Sequence, residues 1–209
     1  MGRKLALLSE TSYPERAAML RNTILITTLT LSMLMPWSTQ ALTIAEVDIP
    51  EHITLAEHSL TLNGAGLRRK AIFNVYVAAL YTPTPTHDAQ VLIHTSSPQQ
   101  MRLYLRRDLS ANDLIEALRD GMHKNLSPQE QEELAPAQDL FQRTMEQVGA
   151  AKKGDIVTLN LFGPKVEILF NQNSLAEIND AKLGAALLKI WLGEHPAQAS
   201  LKEALLGGQ

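Results

Sequence analysis

The sequence predicts an α+β fold in which an antiparallel sheet carries helices on one side. Three observations support this prediction. Residues 71–82 alternate with the period of a strand, Ser110 and Ser127 begin two helices as N-caps, and short strand-like runs return after residue 155. The elements therefore follow in the order strands, two helices, strands, two helices, which is typical of an antiparallel sheet covered by helices.

The first strands are predicted between residues 60 and 107. A short strand at residues 60–67 contains two glycines, and we expect it to pack closely against another backbone. Residues 71–82 are apolar on both faces, which indicates a central strand, and two prolines end it. Residues 88–93 fit either a short helix or a strand. Residues 101–107 alternate strictly, as a half-exposed strand does.

The two central helices are predicted from their starting signals. Ser110 caps a helix that has Asp113 at its third position. Residues 127–130, with the sequence Ser-Pro-Gln-Glu, form a capping box with proline at the first helical position. This second helix is expected to run to about Gln147, and Pro136 is expected to kink or split it.

The last part of the chain is predicted to return to strands and then to helices. Strands at residues 156–162, at 166–170 and near 174–178 are separated by short turns and make a meander. A helix follows that ends at Gly193, and Pro196 is expected to begin a short final helix.

Composition and motifs exclude several classes of function. The chain has 209 residues, with 19 basic and 22 acidic side chains and a formal net charge of −3, so it lacks the basic excess of nucleic-acid-binding proteins. It has no cysteine, which excludes disulfides, thiol catalysis and iron–sulfur clusters. No two histidines are four residues apart, and nucleophile-elbow, Walker and dinucleotide motifs are absent. We therefore predict no metal, no cofactor and no nucleic-acid partner.

The N-terminal segment 16–41 has the pattern of a secretory signal peptide. Two arginines precede an apolar run, and Thr-Gln-Ala ends the segment with small residues where a signal peptidase cleaves. The run is about a dozen residues long, whereas a membrane span needs roughly 20. We predict cleavage after Ala41, a single domain at residues 42–209 without a membrane span, and a periplasmic or otherwise exported protein. A start at Met19 and a retained anchor remain alternatives.

An arginine pair lies between the first two predicted strands. Because neighbouring side chains point to opposite faces of a sheet, one of Arg68 and Arg69 should face the covered side. An arginine beside an apolar interior needs an anion or fixed acceptors, and a carboxylate ligand suits its donors. Pairing with Asp108, or simple solvation, is the alternative. Tyr76 and Tyr104 could add hydroxyl groups from neighbouring strands, although Tyr76 could equally be a core residue.

Three segments resemble the chalcone isomerase-like family. They are LNGAGLRRKAIFNVYVAALY, LRRDLSANDLIEALRDGM and AALLKIWLGEHPAQASLKEALLG, in that order. The resemblance covers residues 58–207 and is closest to the exported bacterial branch. It implies an open-faced β-sandwich, with a ligand cleft between a long antiparallel sheet and one layer of helices. Plant enzymes of the family cyclise chalcones, while related members without that activity hold the carboxylate of a fatty acid with an arginine.

The resemblance transfers to individual residues only in part. The family arginine that follows the glycine pair matches Arg68. The positions of the family's hydroxyl-bearing residues fall on Tyr76, Asn112 and Ile190, and the residue types do not match there. Without those groups, the site would lack the orientation that chalcone cyclisation uses. Together with Tyr104, these residues are the predicted ligand-binding positions, and no catalytic residue is assigned.

Three functions remain open from the sequence. The preferred one is binding of a fatty acid or similar amphiphilic carboxylate in the cleft, without chalcone cyclisation. The alternatives are an isomerase of the intramolecular lyase type with an unknown substrate, and an interaction module without a ligand. The sequence leaves protein partners unknown. Five side chains are expected in the pocket wall, namely Phe73, Tyr76, Leu118, Leu187 and Trp191.

Overall fold

A computed structural model describes residues 41–208. The predicted signal segment, apart from Ala41, lies outside the described residues, so its cleavage stays a prediction. Eleven strands occur in the described part of the chain. They are β1 (Ala41–Ile44), β2 (Val47–Pro50), β3 (His52–Leu55), β4 (His58–Lys70), β5 (Phe73–Thr82), β6 (Gln99–Leu105), β7 (Leu109–Ser110), β8 (Ala150–Ala151), β9 (Ile156–Leu161), β10 (Lys165–Phe170) and β11 (Asn173–Asn179).

Seven of these strands form one antiparallel sheet in the order β11-β10-β9-β6-β5-β4-β3. The predicted central strand, β5, lies between β4 and β6. The predicted meander is β9-β10-β11, at one edge of the sheet. The β1-β2 hairpin and the pair β7-β8 form two further two-stranded sheets. The predicted antiparallel α+β architecture is confirmed.

Five helices accompany the sheet in the described residues. They are α1 (Ala89–His94), α2 (Ala111–Asn125), α3 (Pro128–Val148), α4 (Leu183–Leu192) and α5 (Ala199–Leu205). Both predicted caps are present, because the hydroxyls of Ser110 and Ser127 accept the backbone N–H groups of the third helical residues, Asp113 and Glu130. None of the helices described between residues 41 and 208 is long and apolar enough to cross a membrane.

The structure corrects three details of the sequence prediction. Pro136 does not split its helix, because α3 continues through it to Val148. The final helix begins at Ala199 instead of Pro196, since the backbone N–H of Ala197 donates to the carbonyl of Ile190 (2.8 Å) and folds this segment back onto α4. The strands before residue 58 were not predicted, because each has only four residues and too few side chains to show a period.

Apolar side chains cover both faces of the sheet. On one face, Ala78 and Leu80 of β5 pack with β6, β9 and the helices. On the other face, Val77 and Tyr81 pack with residues of β3 and β4 and with Ile49 of the β1-β2 hairpin. The sheet is therefore the middle layer, and β5 is apolar on both sides, as predicted.

Helix α5 lies directly on β4. A Cβ atom added to Gly64 would overlap the backbone oxygen of Ala204, and one added to Gly66 would come within 2.7 Å of the Ala204 side chain. The predicted close backbone packing of this glycine pair is thus confirmed. This contact positions the segment before α5 against the end of β4, where the arginine pair lies.

Candidate functional site

A cavity of about 380 Å³ lies between the sheet and the helices. Strands β4, β5, β6 and β9 form its floor, and helices α2, α3 and α4 and residues 195–197 form its walls. This volume falls within the range of small-molecule sites, roughly 300–1,000 Å³. The cavity occupies the position expected of the cleft that the family resemblance implies.

The interior of the cavity is apolar. Its buried lining includes Phe141 and Met145 from α3 and Leu159 from β9, each at most 3% exposed. Other apolar lining residues are Val75, Leu103, Leu114, Leu118, Val157, Ile190 and Trp191. Exposed charged side chains line the mouth, namely Lys70, Arg107, Lys124, Asp113, Glu116 and Asp120. An apolar interior with a charged mouth suits a molecule that has one polar end.

Of the pair Arg68 and Arg69, only Arg68 lines the cavity. It lies opposite Tyr76 in the β4-β5 pairing, and both side chains are on the face that carries the helices. The register of this pairing shifts between Arg68 and Arg69, and Arg69 is exposed and does not line the cavity. The half-buried position of Arg68 resolves the choice that the sequence left open.

Gln198 holds Arg68 at the cavity. Its amide oxygen accepts one hydrogen bond from Arg68 Nη1 (3.2 Å) and another from the backbone N–H of Arg69 (2.9 Å). Arg68 Nη1 also donates to the Arg69 carbonyl. Gln198 was not predicted from the sequence, because no motif marks it and its role depends on the contact between α5 and β4.

The alternative pairing of Arg68 with Asp108 is wrong. Asp108 accepts instead from the ammonium group of Lys152 (3.1 Å) and from the backbone N–H of Lys153 (2.9 Å). No carboxylate among residues 41–208 forms an ion pair with Arg68. The charge of Arg68 is therefore met only by neutral acceptors in the part of the chain that the structure describes.

Tyr76 presents a hydroxyl group beside Arg68. The indole N–H of Trp191 donates to this hydroxyl across 2.9 Å. Because an indole can only donate, the Tyr76 oxygen is the acceptor, and its own proton remains available to another group. Burial raises the pKa of Tyr76 above its ordinary value, although the Trp191 hydrogen bond and the Arg68 charge lower it in part. The hydroxyl is therefore protonated at neutral pH.

Of the other three predicted ligand-binding residues, one lines the cavity and two do not. Ile190 is buried and lines the cavity. Tyr104 pairs with Val77 and therefore lies on the opposite face of the sheet, packed in the cluster that contains Tyr81. Asn112 is exposed on the first turn of α2 and does not line the cavity. The structure thus brings together Arg68, Tyr76 and Ile190, without Tyr104 and Asn112.

Three of the five expected wall residues line the cavity. These are Tyr76, Leu118 and Trp191. Leu187 is fully buried in the core instead. Phe73 lies at the start of β5, where it is 55% exposed, and the Arg107 guanidinium stacks over its ring at 5.3 Å. The expected role of Phe73 in the wall is therefore wrong, because it lies outside the helix-covered part of the sheet.

Comparisons with known proteins agree with this architecture. The structure matches the crystal structure of the fatty-acid-binding protein AtFAP1 of Arabidopsis thaliana with a TM-score of 0.65 and 15% sequence identity, covering 80% of this chain and 96% of the plant chain. A search of curated protein sequences found no match. The family model described as chalcone isomerase-like matches residues 41–207. The chain therefore belongs to the chalcone isomerase-like family.

Proposed function

We propose that the protein binds a fatty acid or a similar amphiphilic carboxylate in the cavity, without chalcone cyclisation. The observation that carries this proposal is Arg68, a half-buried cation at an apolar cavity with no carboxylate partner among residues 41–208. A buried guanidinium is most stable with an anion, and a carboxylate matches its planar donors. The name of the plant protein with the same fold supports this ligand class.

Two donors would hold the head group of the ligand. The Arg68 guanidinium donates charge-assisted hydrogen bonds to the carboxylate, and the Tyr76 hydroxyl donates one further hydrogen bond. Trp191 occupies the acceptor side of that hydroxyl, which directs its proton away from the indole. The apolar interior would take the alkyl chain, with a gain of about 0.8 kcal/mol for each buried CH₂.

The two titratable groups of the cavity whose pKa values are shifted give no support to isomerase activity. An intramolecular lyase needs a base that can take a proton near neutral pH. The titratable group beside Arg68 is Tyr76, whose raised pKa keeps it protonated. At the mouth, hydrogen bonds from Ser110 lower the pKa of Asp113, which makes this carboxylate a weaker base. Neither shift turns its group into a base that accepts a proton near neutral pH, so the case for binding rests on Arg68 and the apolar cavity.

Calorimetric titration with fatty acids of increasing length tests the proposal. Arg68→Gln should weaken binding by about 1.5–3 kcal/mol, the usual value of hydrogen bonds to a charged group. Arg69→Gln is the matched control, because the neighbouring side chain is exposed and outside the cavity, and it should leave binding unchanged. The proposal fails if no fatty acid binds, or if both variants bind as the wild type does.

We also propose that the protein is exported, as in the bacterial branch that its sequence resembles. The support is the sequence of residues 16–41, and the lack of cysteine means that the domain needs no disulfide. Fractionation of cells that express the full chain, with N-terminal sequencing of the product, tests this. A periplasmic product that begins at Leu42 is the expected result, and an unprocessed cytosolic chain would contradict it.

A further inference from the structure

We propose that the hairpin tip, residues 69–73 between β4 and β5, docks on an anionic lipid surface and turns the cavity mouth toward the bilayer. This inference rests on the proposed function, because the lipid surface would be the source of the amphiphilic ligand. It adds a partner and a direction of entry that ligand binding alone does not require.

The tip exposes two adjacent apolar side chains. Ile72 is 88% exposed and Phe73 is 55% exposed, the two highest values among the large apolar residues that the structure describes. Ala71 has a positive φ of 52°, which closes a tight turn and places Ile72 at its end. Adjacent apolar side chains on a projecting turn can enter the interfacial region of a membrane, as apolar residues of interfacial helices do.

Cations surround the two apolar side chains. Arg69 and Lys70 precede them in the chain and are exposed, and Arg107 stacks on the ring of Phe73. The protein as a whole carries a net charge of −3, so this group of cations is a local concentration. Anionic lipids attract such groups, and each Lys or Arg near the surface contributes a factor of roughly fivefold to partitioning.

Two carboxylates near the tip have partners of their own, whereas Glu116 and Asp120 line the mouth on α2. Asp108 pairs with Lys152, at a distance of 3.1 Å. Asp113 accepts the backbone N–H and the hydroxyl of Ser110 within the cap of α2, and the charges of Arg107 and Lys70 help to lower its pKa. These acids therefore reduce the positive potential of the tip without forming ion pairs with its cations.

The tip and the cavity mouth share residues. Lys70 and Arg107 line the mouth, and Arg68 lies two residues before the turn. A surface that contacts Ile72 and Phe73 therefore lies beside the opening of the cavity. A fatty acid could pass from the bilayer to Arg68 with little exposure of its alkyl chain to water. The free-energy cost of that exposure grows with every CH₂.

The absence of cysteine allows a label to be placed at the tip alone. In the full chain, Ile72→Cys carries an environment-sensitive dye, and Val91→Cys is the matched control, since it is 54% exposed on α1 beyond the far end of β5. When vesicles contain phosphatidylglycerol, the fluorescence emission of the dye at residue 72 should shift to the blue. The dye should also become accessible to a quencher within the bilayer. The dye at residue 91 should not respond.

Two variants that each remove one positive charge test the attraction between the tip and anionic lipids. Arg69→Gln should reduce partitioning onto phosphatidylglycerol vesicles roughly fivefold, whereas Arg143→Gln, an exposed site on α3 with the same change in charge, should change it much less. The inference is overturned if the dye at residue 72 does not respond, if residue 91 responds equally, or if pure phosphatidylcholine gives the same signal. A response that depends on protein concentration without vesicles would indicate self-association and would also overturn it.

A titration without vesicles separates this inference from the proposed function. Arg69→Gln and Ile72→Ser should bind fatty acid in solution as the wild type does, because neither side chain lines the cavity. Normal binding in solution without a vesicle response would refute docking and leave the proposed function intact. A vesicle response without fatty-acid binding would refute the proposed function instead.

Discussion

Trp191 of α4 donates its indole N–H to the hydroxyl of Tyr76 on β5 across 2.9 Å. This hydrogen bond joins the helix layer to the sheet beside the cavity, one strand away from Arg68. It also orients a largely buried hydroxyl, for which loss of a hydrogen bond would cost stability. The contact therefore links the stability of the fold to the geometry of the proposed site.

A double-mutant cycle measures this link. Tyr76→Phe and Trp191→Phe should each destabilise the protein, and the pair should show a coupling free energy of about 1 kcal/mol, typical of one buried hydrogen bond. Urea unfolding of the four proteins supplies the values. Additive effects within about 0.3 kcal/mol would show that the two groups do not interact. Tyr76→Phe should in addition weaken fatty-acid binding, since it removes a donor to the head group.

Gly64→Ala should destabilise the protein by about 1–3 kcal/mol or more, the range for overpacking a filled site. The new methyl group would overlap the backbone of α5, which cannot move without shifting Gln198 from Arg68. Gly184→Ala is the control. Its Cβ would meet neighbours only at 3.8 Å or beyond, and the change should be neutral or stabilising by up to about 1 kcal/mol. Equal melting temperatures for the two variants would contradict this account.

Glu130 should make the free energy of unfolding depend on pH in the acidic range. The hydrogen bond from Lys189 (2.8 Å) and those from Ser127 lower the pKa of Glu130 from its ordinary value of 4.5 to about 2. A carboxyl whose pKa is lowered by folding stabilises the protein above pH 4.5, and this contribution is lost as the pH falls through 2. Because the side chain is 38% exposed, solvent screening reduces the contribution to about 1 kcal/mol.

Replacement by glutamine isolates that charge, because glutamine can still complete the capping box. Glu130→Gln should lower the free energy of unfolding at pH 7 and flatten its decline between pH 4.5 and 2. Glu132→Gln, at an exposed site on the same helix, should retain the wild-type profile. Parallel profiles for all three proteins would exclude the proposed role of Glu130.

Pro136→Ala should stabilise the protein. Pro136 is exposed inside α3, where it removes a backbone donor, and proline costs about 3 kcal/mol more than alanine in a helix interior. Pro128→Ala is the matched control, because Pro128 is the first residue of the helix and proline is tolerated there. We expect a higher urea midpoint for Pro136→Ala alone. No gain at Pro136 would show that packing already offsets the destabilising effect of proline there. A gain at Pro128 would contradict the tolerance of proline at the first helical position.

The sequence by itself determined the element order and most element types. The period of β5, the caps at Ser110 and Ser127 and the stop at Gly193 are local signals, since they depend on residues within one or two turns. The resemblance to the family added the cleft and predicted Arg68 as a ligand-binding residue. Each of these inferences needed only neighbouring residues or a contiguous pattern.

Tertiary structure decided which side chains meet at the site. The register shift after Arg68 and the pairing of Tyr104 with Val77 assign these side chains to their faces, and a displacement of one residue would reverse them. Gln198 reaches Arg68 only because α5 lies on Gly64, more than 130 positions earlier in the chain. Such contacts carry no local sequence signal, because they depend on strand register and helix docking, which packing of the whole domain sets.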